Sequence, residues 1–415
     1  MKPPDTIGAS VEPAPEPAAD SKAGHAFLAG FLGWTLDAFD FFVLVFVLPT
    51  IAREFHRSIA DIAYTITLTL AMRPVGALIF GWAADRYGRR VPLMVDVIFY
   101  SVVEVMSGLA PGYRSFLLLR ALYGIGMGGE WGVGASLVME AVSSRRRGLL
   151  SGLLQEGYAT GYLLAAAAFY FVFPHWGWRP LFILGGVPAL LALYIRSHVP
   201  ESKAWEQVKP DPRKILRAVK DNFASFLYLV LLMTMMNLIS HGTQDIYPTF
   251  LERERGFAPR EVATIAVIYN LGALAGGLCF GLLSDRIGRR RAMVGAVVLA
   301  LLMIPMWAYT SSAVMLAVGA FAMQFMVQGA WGVVPAHLTE LSPGEVRGLF
   351  PGLAYQLGVL LAASAPYVEA LLATRMGYAN ALAMVAAIVL SAGAIVIALG
   401  NERHRIEFHP VLADD

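Results

Sequence analysis

Residues 81–90 read GWAADRYGRR, and residues 281–290 read GLLSDRIGRR. The two decamers keep Gly, Asp-Arg and Gly-Arg-Arg at identical spacing, 200 positions apart. The same offset relates Trp131-Gly132 to Trp331-Gly332, Glu140 to Glu340, and Arg147-Gly148-Leu149 to Arg347-Gly348-Leu349. A period of this length marks two homologous halves. Gly81 and Gly281 leave room for a neighbouring helix. Asp85 and Asp285 can accept hydrogen bonds from a helix N-terminus or pair with nearby arginine. Gly81, Asp85, Arg86 and Arg90, with Gly281, Asp285, Arg286 and Arg290, are the expected gate: they latch helix ends together and release on opening. Glu140, His337 and Glu340 lie near the same helix ends and read as gate or loop residues.

The rest of the chain sets the medium. Hydrophobic residues make up 57% and charged residues 15% of 415 residues. Apolar runs of about 20 residues, each long enough for a roughly 30 Å hydrocarbon core, recur along it. The expected spans are 25–52, 60–84, 91–109, 113–139, 147–172, 178–196, 222–251, 260–284, 290–310, 312–340, 346–372 and 377–399. An all-α membrane protein with twelve spans in two six-helix bundles follows, because only helices satisfy every backbone group within such segments.

The expected organisation is a disordered tail over 1–23, one bundle over 24–196, a basic linker over 197–220, a second bundle over 221–400 and a tail over 401–415. The first stretch lacks the apolar core and cleavage pattern of a signal peptide. With both termini on one side, 22 of the 32 Lys and Arg fall in that side's tails and loops and 8 on the other, while Arg73 and Arg120 lie inside spans. That bias places both termini in the cytoplasm. Cys279, the single cysteine, forms no disulfide within the chain and is expected as a small core residue.

Ionisable groups at bilayer depth cost about 2.5–3.5 kcal/mol each on insertion scales, so they mark function. The seventh span reads NLISHGTQDIYPT over 237–249. Asn237, His241, Asp245 and Thr249 form a ladder one turn apart, with Ser240, Gln244 and Pro248 on the same broad face and Thr243 pointing away. Pro248 cannot donate to the Gln244 carbonyl, which is left free. The ladder is expected to line a wet cavity, and His241 with Asp245 to titrate as a coupled proton-binding pair. Asp37 and Asp40 share one face of the first span and repel, which suits proton carriage. Arg73 keeps its proton, so it needs an anion: a substrate carboxylate, a salt bridge to Asp37 or Asp40, or both in turn. Glu104 and Glu130 are either structural partners, one of them for Arg120, or proton-relay groups. Gln155, Tyr158, Tyr269, Gln324, Gln328 and Tyr355 either contact ligand or bridge helices.

The duplicated decamer and RALYGIGMGG at 120–129 resemble the Major Facilitator Superfamily over about 25–400. That resemblance implies twelve helices, two halves and alternating access around a midplane site. The seventh-span pattern resembles the N-x-x-[ST]-H-x-[ST]-Q-D-x-x-x-T signature of lactate and pyruvate proton symporters in the sialate–proton symporter branch, with every defined position filled. DAFDFF in the first span and RPVGALIFG in the second also resemble that branch. The resemblance implies proton-coupled uptake of a small monocarboxylate anion, with Arg73, Asn237, His241, Gln244 and Asp245 in binding or translocation. Tyr269 and Tyr355 are added as candidate substrate contacts from their own chemistry. Proton coupling falls to Asp37, Asp40, Glu104, Glu130, His241 and Asp245. Lactate is an anion at neutral pH, its acid group being about as strong as an Asp side chain, pKa roughly 4. A monomer in the plasma-membrane bilayer is expected, with no metal, no cofactor and no nucleic acid. Sialic acid and aromatic acids are the alternative cargoes, and a carboxylate receptor without flux is a second class. A membrane enzyme is disfavoured: the His241–Asp245 pair has no serine elbow beside it.

Overall fold

The computed structural model describes residues 17–408. Twelve helical spans fill it: α1 (Pro17–Glu54), α2 (Ile59–Tyr87), α3 (Arg90–Gly108), α4 (Tyr113–Ala141), α5 (Arg147–Trp176), α6 (Arg179–Leu184 and Pro188–His198), α7 (Phe223–Gln244 and Tyr247–Arg253), α8 (Pro259–Ile287), α9 (Arg289–Ala308), α10 (Ala313–Leu341), α11 (Phe350–Ala362 and Ala365–Met376) and α12 (Tyr378–Leu399). They form two six-helix bundles, and no strand occurs among the described residues. Two short helices, Lys203–Val208 and Pro212–Asp221, lie in the linker. Of the expected tail over 1–23, residues 1–16 lie outside the described residues, and α1 already begins at Pro17. Of the expected tail over 401–415, residues 401–408 pack against the bundle ends, and the remainder lies outside the described residues.

Eleven of the spans are long and apolar enough to cross a membrane, and α4 is the exception. Arg120, Glu130 and a run of glycines dilute it. It tolerates them because it is enclosed, with every residue from Gly126 to Glu140 buried. Helices in lipid associate through close packing of small residues. A Cβ at Gly128 would lie 1.9 Å from the Arg73 carbonyl oxygen, and one at Gly276 would lie 1.9 Å from that of Phe325. These glycines set α4 against α2 and α8 against α10. Cys279 is exposed on α8, not in the core.

The halves meet tightly at the end that carries the linker. Asp85, in the last turn of α2, accepts hydrogen bonds from the backbone N–H groups of Gly348 and Leu349, at 2.7 and 3.0 Å, just before α11. Asp285, in the last turn of α8, accepts from Gly148 and Leu149 at the start of α5, at 2.8 and 3.1 Å. Each carboxylate thus caps a helix of the other half. Arg89 bonds Asp85 at 2.8 Å and grips Glu140 at 3.2 and 3.0 Å. Arg289 does the same with Asp285 at 2.7 Å and with Glu340 at 3.0 and 3.1 Å. Arg347 reaches Glu140 at 3.4 Å and Arg147 reaches Glu340 at 2.9 Å, both across the boundary. Among the described residues, every hydrogen bond between halves lies at this end.

The arginines differ from those singled out in sequence. Arg89 and Arg289 are the network cations, both fully buried. Arg86 faces the Tyr87 ring, Arg286 is exposed, Arg90 donates to the Arg196 carbonyl, and Arg290 donates to the Gly400 carbonyl at 2.8 Å. The cause is Gly88 and Gly288, at φ 95° and 99°. This left-handed backbone favours glycine and turns the next residue inward, out of the preceding helix's phase.

A Cβ at Gly281 would lie 2.5 Å from the Gly148 carbonyl oxygen. Gly281→Val should therefore hold the halves apart at the linker end. In a Cys279→Ser background with spin labels at Ser143 and Arg291, electron–electron resonance should give a longer mean distance for Gly281→Val than for its parent. An unchanged distance would show that this contact does not set closure.

Candidate functional site

Arg73 on α2 is 5% exposed, and its Nε and Nη2 have no hydrogen-bond partner. It makes no ion pair with Asp37, Asp40 or Glu130, whose carboxyl oxygens are also unpartnered except where Asp37 meets Tyr123. The permanent salt bridge weighed in sequence is thus absent. The Arg73 guanidinium lies 5.7 Å from the centroid of the Tyr355 ring. Tyr355 in turn is ringed by Trp131 at 4.6 Å, Trp331 at 5.9 Å and Trp34 at 6.5 Å, and Trp34 stacks on Tyr158 at 5.4 Å. Trp131 and Trp331 are repeat-mates, so the cluster sits where the two halves meet. Gln155 holds Trp131 by accepting its indole N–H at 3.0 Å. The indole N–H groups of Trp34 and Trp331 are buried without partners. Spans α1, α2, α4, α5, α10 and α11 thus converge on one cationic, aromatic site with unspent donors.

Behind it, the first bundle collects carboxyls. Tyr123 donates to the Asp37 carbonyl oxygen at 2.9 Å and to its carboxyl at 3.3 Å. Asp40, Glu130 and Asp96 are fully buried, with both carboxyl oxygens of each unpartnered. Glu104 pairs with Arg120, which also donates to Ser107 at 2.7 Å. Glu130 lies against Gly33 of α1, where a Cβ would come within 2.2 Å of its oxygen. The break in α6 at Gly185 presses on Asp40 and Glu104 in the same way, at 2.5 and 2.4 Å from a Cβ there. An unpaired carboxylate in such surroundings is costly, and protonation removes the cost. Asp96 on α3 was not foreseen, although a charge inside a span is itself the signal.

The second bundle carries the polar ladder of α7. His241 Nδ1 and Asp245 Oδ2 are 2.8 Å apart, and each side chain is about a third exposed. Gln244 donates to Ser240 at 2.5 Å, and Asn237 donates to the Met233 carbonyl at 2.8 Å. Thr243, off the ladder, accepts from Gln324 of α10 at 3.4 Å, so Gln324 bridges helices. Helix α7 breaks after Gln244 and resumes at Tyr247. Pro248 therefore sits in a first turn, where no N–H is needed, and the break falls earlier than the proline alone implies. Glu369 on α11 is fully buried with both carboxyl oxygens unpartnered. Glu156 of α5 abuts Gly277 of α8, 2.5 Å from a Cβ there. Neither glutamate was singled out in sequence.

This architecture has known relatives. The carboxylic acid transporter protein homolog of Saccharomyces cerevisiae is 31% identical over 84% of this chain, and the match spans 61% of that relative's length. A probable 4-methylmuconolactone transporter of Cupriavidus pinatubonensis is 31% identical, over 86% of this chain and 85% of that one. The solved proton:xylose symporter XylE superposes with a TM-score of 0.76 at 17% identity, over 93% of this chain and 98% of that one, a likeness of fold alone. The sequence profile of the Major Facilitator Superfamily matches residues 30–243 and 230–410. This chain, a multi-pass membrane protein, belongs to the Major Facilitator Superfamily.

Proposed function

We propose that the chain is a proton-coupled symporter of short monocarboxylates, lactate and pyruvate among them, working by alternating access. One observation carries the reading: Arg73 is a buried guanidinium to which no carboxylate among the described residues is paired, set between the two halves. An uncompensated buried charge costs several kcal/mol, and an arriving carboxylate cancels it with bidentate geometry. His241, Gln244 and Asn237 of α7, with Tyr269, offer donors for a hydroxyl or keto oxygen. One proton taken up on the buried carboxyls around Asp37 and Asp40 makes the loaded cycle electroneutral. Uncompensated, the anion would couple to voltage at about 2.3 kcal/mol per 100 mV.

The linker end is the cytoplasmic end on the charge bias, and the bilayer is the plasma membrane. The described state is then the one sealed towards the cytoplasm. A second reading keeps the machine and enlarges the cargo to unsaturated or aromatic acids. The three tryptophans around Tyr355 favour it, as does the muconolactone named for the bacterial relative.

Labelled L-lactate uptake into proteoliposomes under an inward proton gradient separates these cargoes. Pyruvate should compete, and benzoate and sialic acid should not; competition by benzoate alone would move the assignment to aromatic acids. Arg73→Ala removes charge-assisted hydrogen bonds worth about 1.5–3 kcal/mol each, so uptake at low substrate should fall at least about tenfold. Arg73→Lys should recover little, because an ammonium lacks the planar fork. Uptake unchanged in Arg73→Ala would remove that residue from the site.

Proton coupling has a separate readout. Asp37→Asn should lose gradient-driven accumulation while keeping exchange of labelled for unlabelled substrate, since a neutral amide carries no proton. Equal loss of both activities in folded protein would assign Asp37 to architecture.

A further inference from the structure

The duplicated latch leaves two equivalent corners at the linker end, and they are built differently. In one, Trp205 of the linker donates its indole N–H to the Asp85 carbonyl oxygen at 2.7 Å, and its helix Lys203–Val208 packs against Gly344–Val346, with Arg86 next to Asp85 in the chain. In the other, Arg405 donates to the Asp285 carbonyl oxygen at 3.1 Å, and the repeat-mates of Glu345 and Val346 are Arg145 and Arg146. Arg286 completes the set. The four guanidiniums surround an open cavity of about 650 Å³, which Leu149 and Leu282 also line.

The fold does not demand three of these charges: the first corner shares only Arg86 with Arg286, and has Trp205, Glu345 and Val346 where the second has Arg405, Arg145 and Arg146. Among the described residues, no carboxylate pairs with the four guanidiniums. The Asp285 carboxylate is taken by Gly148, Leu149 and Arg289, and Glu407 is bonded to Ser144. Arg405 also holds φ at 62°, a left-handed backbone that costs a non-glycine residue about 1–3 kcal/mol. Leu282 is 49% exposed and shares a face of α8 with exposed Leu271 and Arg286, so an apolar strip leads into the basic cavity.

We propose that this corner binds the phosphate headgroup of an anionic lipid, with the acyl chains along α8. Clustered cations beside an apolar helix face are the chemistry that holds such headgroups. The cavity takes one wall from each half (Arg145 and Arg146 before α5, Arg286 and Arg405 from the second half), so an occupant also favours the closed linker end.

Native mass spectrometry of the full chain in detergent tests this, with phosphatidylglycerol and phosphatidylcholine offered at equal concentration and inorganic phosphate offered alone. The wild type should retain phosphatidylglycerol preferentially. Arg145→Ala, Arg146→Ala and Arg286→Ala should each weaken that retention about fivefold, the factor matching about 1 kcal/mol per surface cation. Arg260→Ala, at the opposite end, should leave it unchanged. Thermal melts of each variant confirm folding, and the single substitutions are exposed enough to be tolerated. Equal retention of both lipids, or phosphatidylglycerol retention indifferent to the three arginines, would overturn the site. Inorganic phosphate displacing the lipid at matched concentration would overturn the lipid as its occupant.

Discussion

Two carboxylates decide how this molecule is held together. Asp85 and Asp285 each end one helix and begin another, and the helix each begins belongs to the opposite half. The bonds are charge-assisted, donated by N–H groups that have no partner within their own helix, and shielded from water. Arg89 and Arg289 keep each carboxylate in place, and Glu140 and Glu340 keep each arginine in place. Removing one member would strand a buried charge, at a cost of about 3–5 kcal/mol. Yet the whole set can part together once water reaches it, because every member is then solvated. Such a network is firm when dry and separable when wet, as a surface that must close and reopen requires.

The latch is symmetric, but the site above it is not. Duplication supplied matched tryptophans, 131 and 331, on either side of Tyr355. The charges did not stay matched. Arg73 and five buried carboxyls belong to the first half, whereas His241 and Asp245 belong to the second. A cluster of buried charge concentrated in one bundle can exchange partners within that bundle, while His241, Asp245 and Glu369 are ionisable groups of the other. On the proposed cycle, the second bundle recognises the neutral part of a ligand and follows by rigid rotation. Asymmetry of charge on a symmetric frame separates the chemistry from the motion.

The sequence made much of this legible, and the misses have causes. Long-period identity and apolar runs carry the two halves and twelve spans, since each is a statement about every residue in a segment. Arg73 stood out because a permanent charge at bilayer depth admits few explanations. Arg89 and Arg289 were passed over for their neighbours because helical phase does not continue through a positive-φ glycine. Asp96, Glu156 and Glu369 obey the same rule as Glu104, but they lie outside the patterned stretches and drew no attention. The aromatic cluster was invisible for a different reason. Trp34, Trp131, Trp331 and Tyr355 are far apart in the chain, and only tertiary packing brings four rings together. The α6 break could not be placed either, because Gly185-Gly186 is tolerated within a helix until a carboxyl packs against it.

The helix breaks are where bending would be easiest on the proposed alternating-access cycle. Irregular backbone at bilayer depth survives only where protein encloses it or water reaches it. Here the breaks lie beside ionisable groups: Gly185 against Asp40 and Glu104, Asp245 at the break in α7, and Ser364 just ahead of Glu369 on α11. A continuous helix resists bending, because its hydrogen bonds form one ladder. A broken one bends at the gap with little loss. Adding or removing a proton at such a gap changes the solvation that the gap can tolerate, and so changes which bend is preferred. On the proposed cycle, proton occupancy of the buried carboxyls and helix geometry are coupled locally, before the halves rotate as bodies.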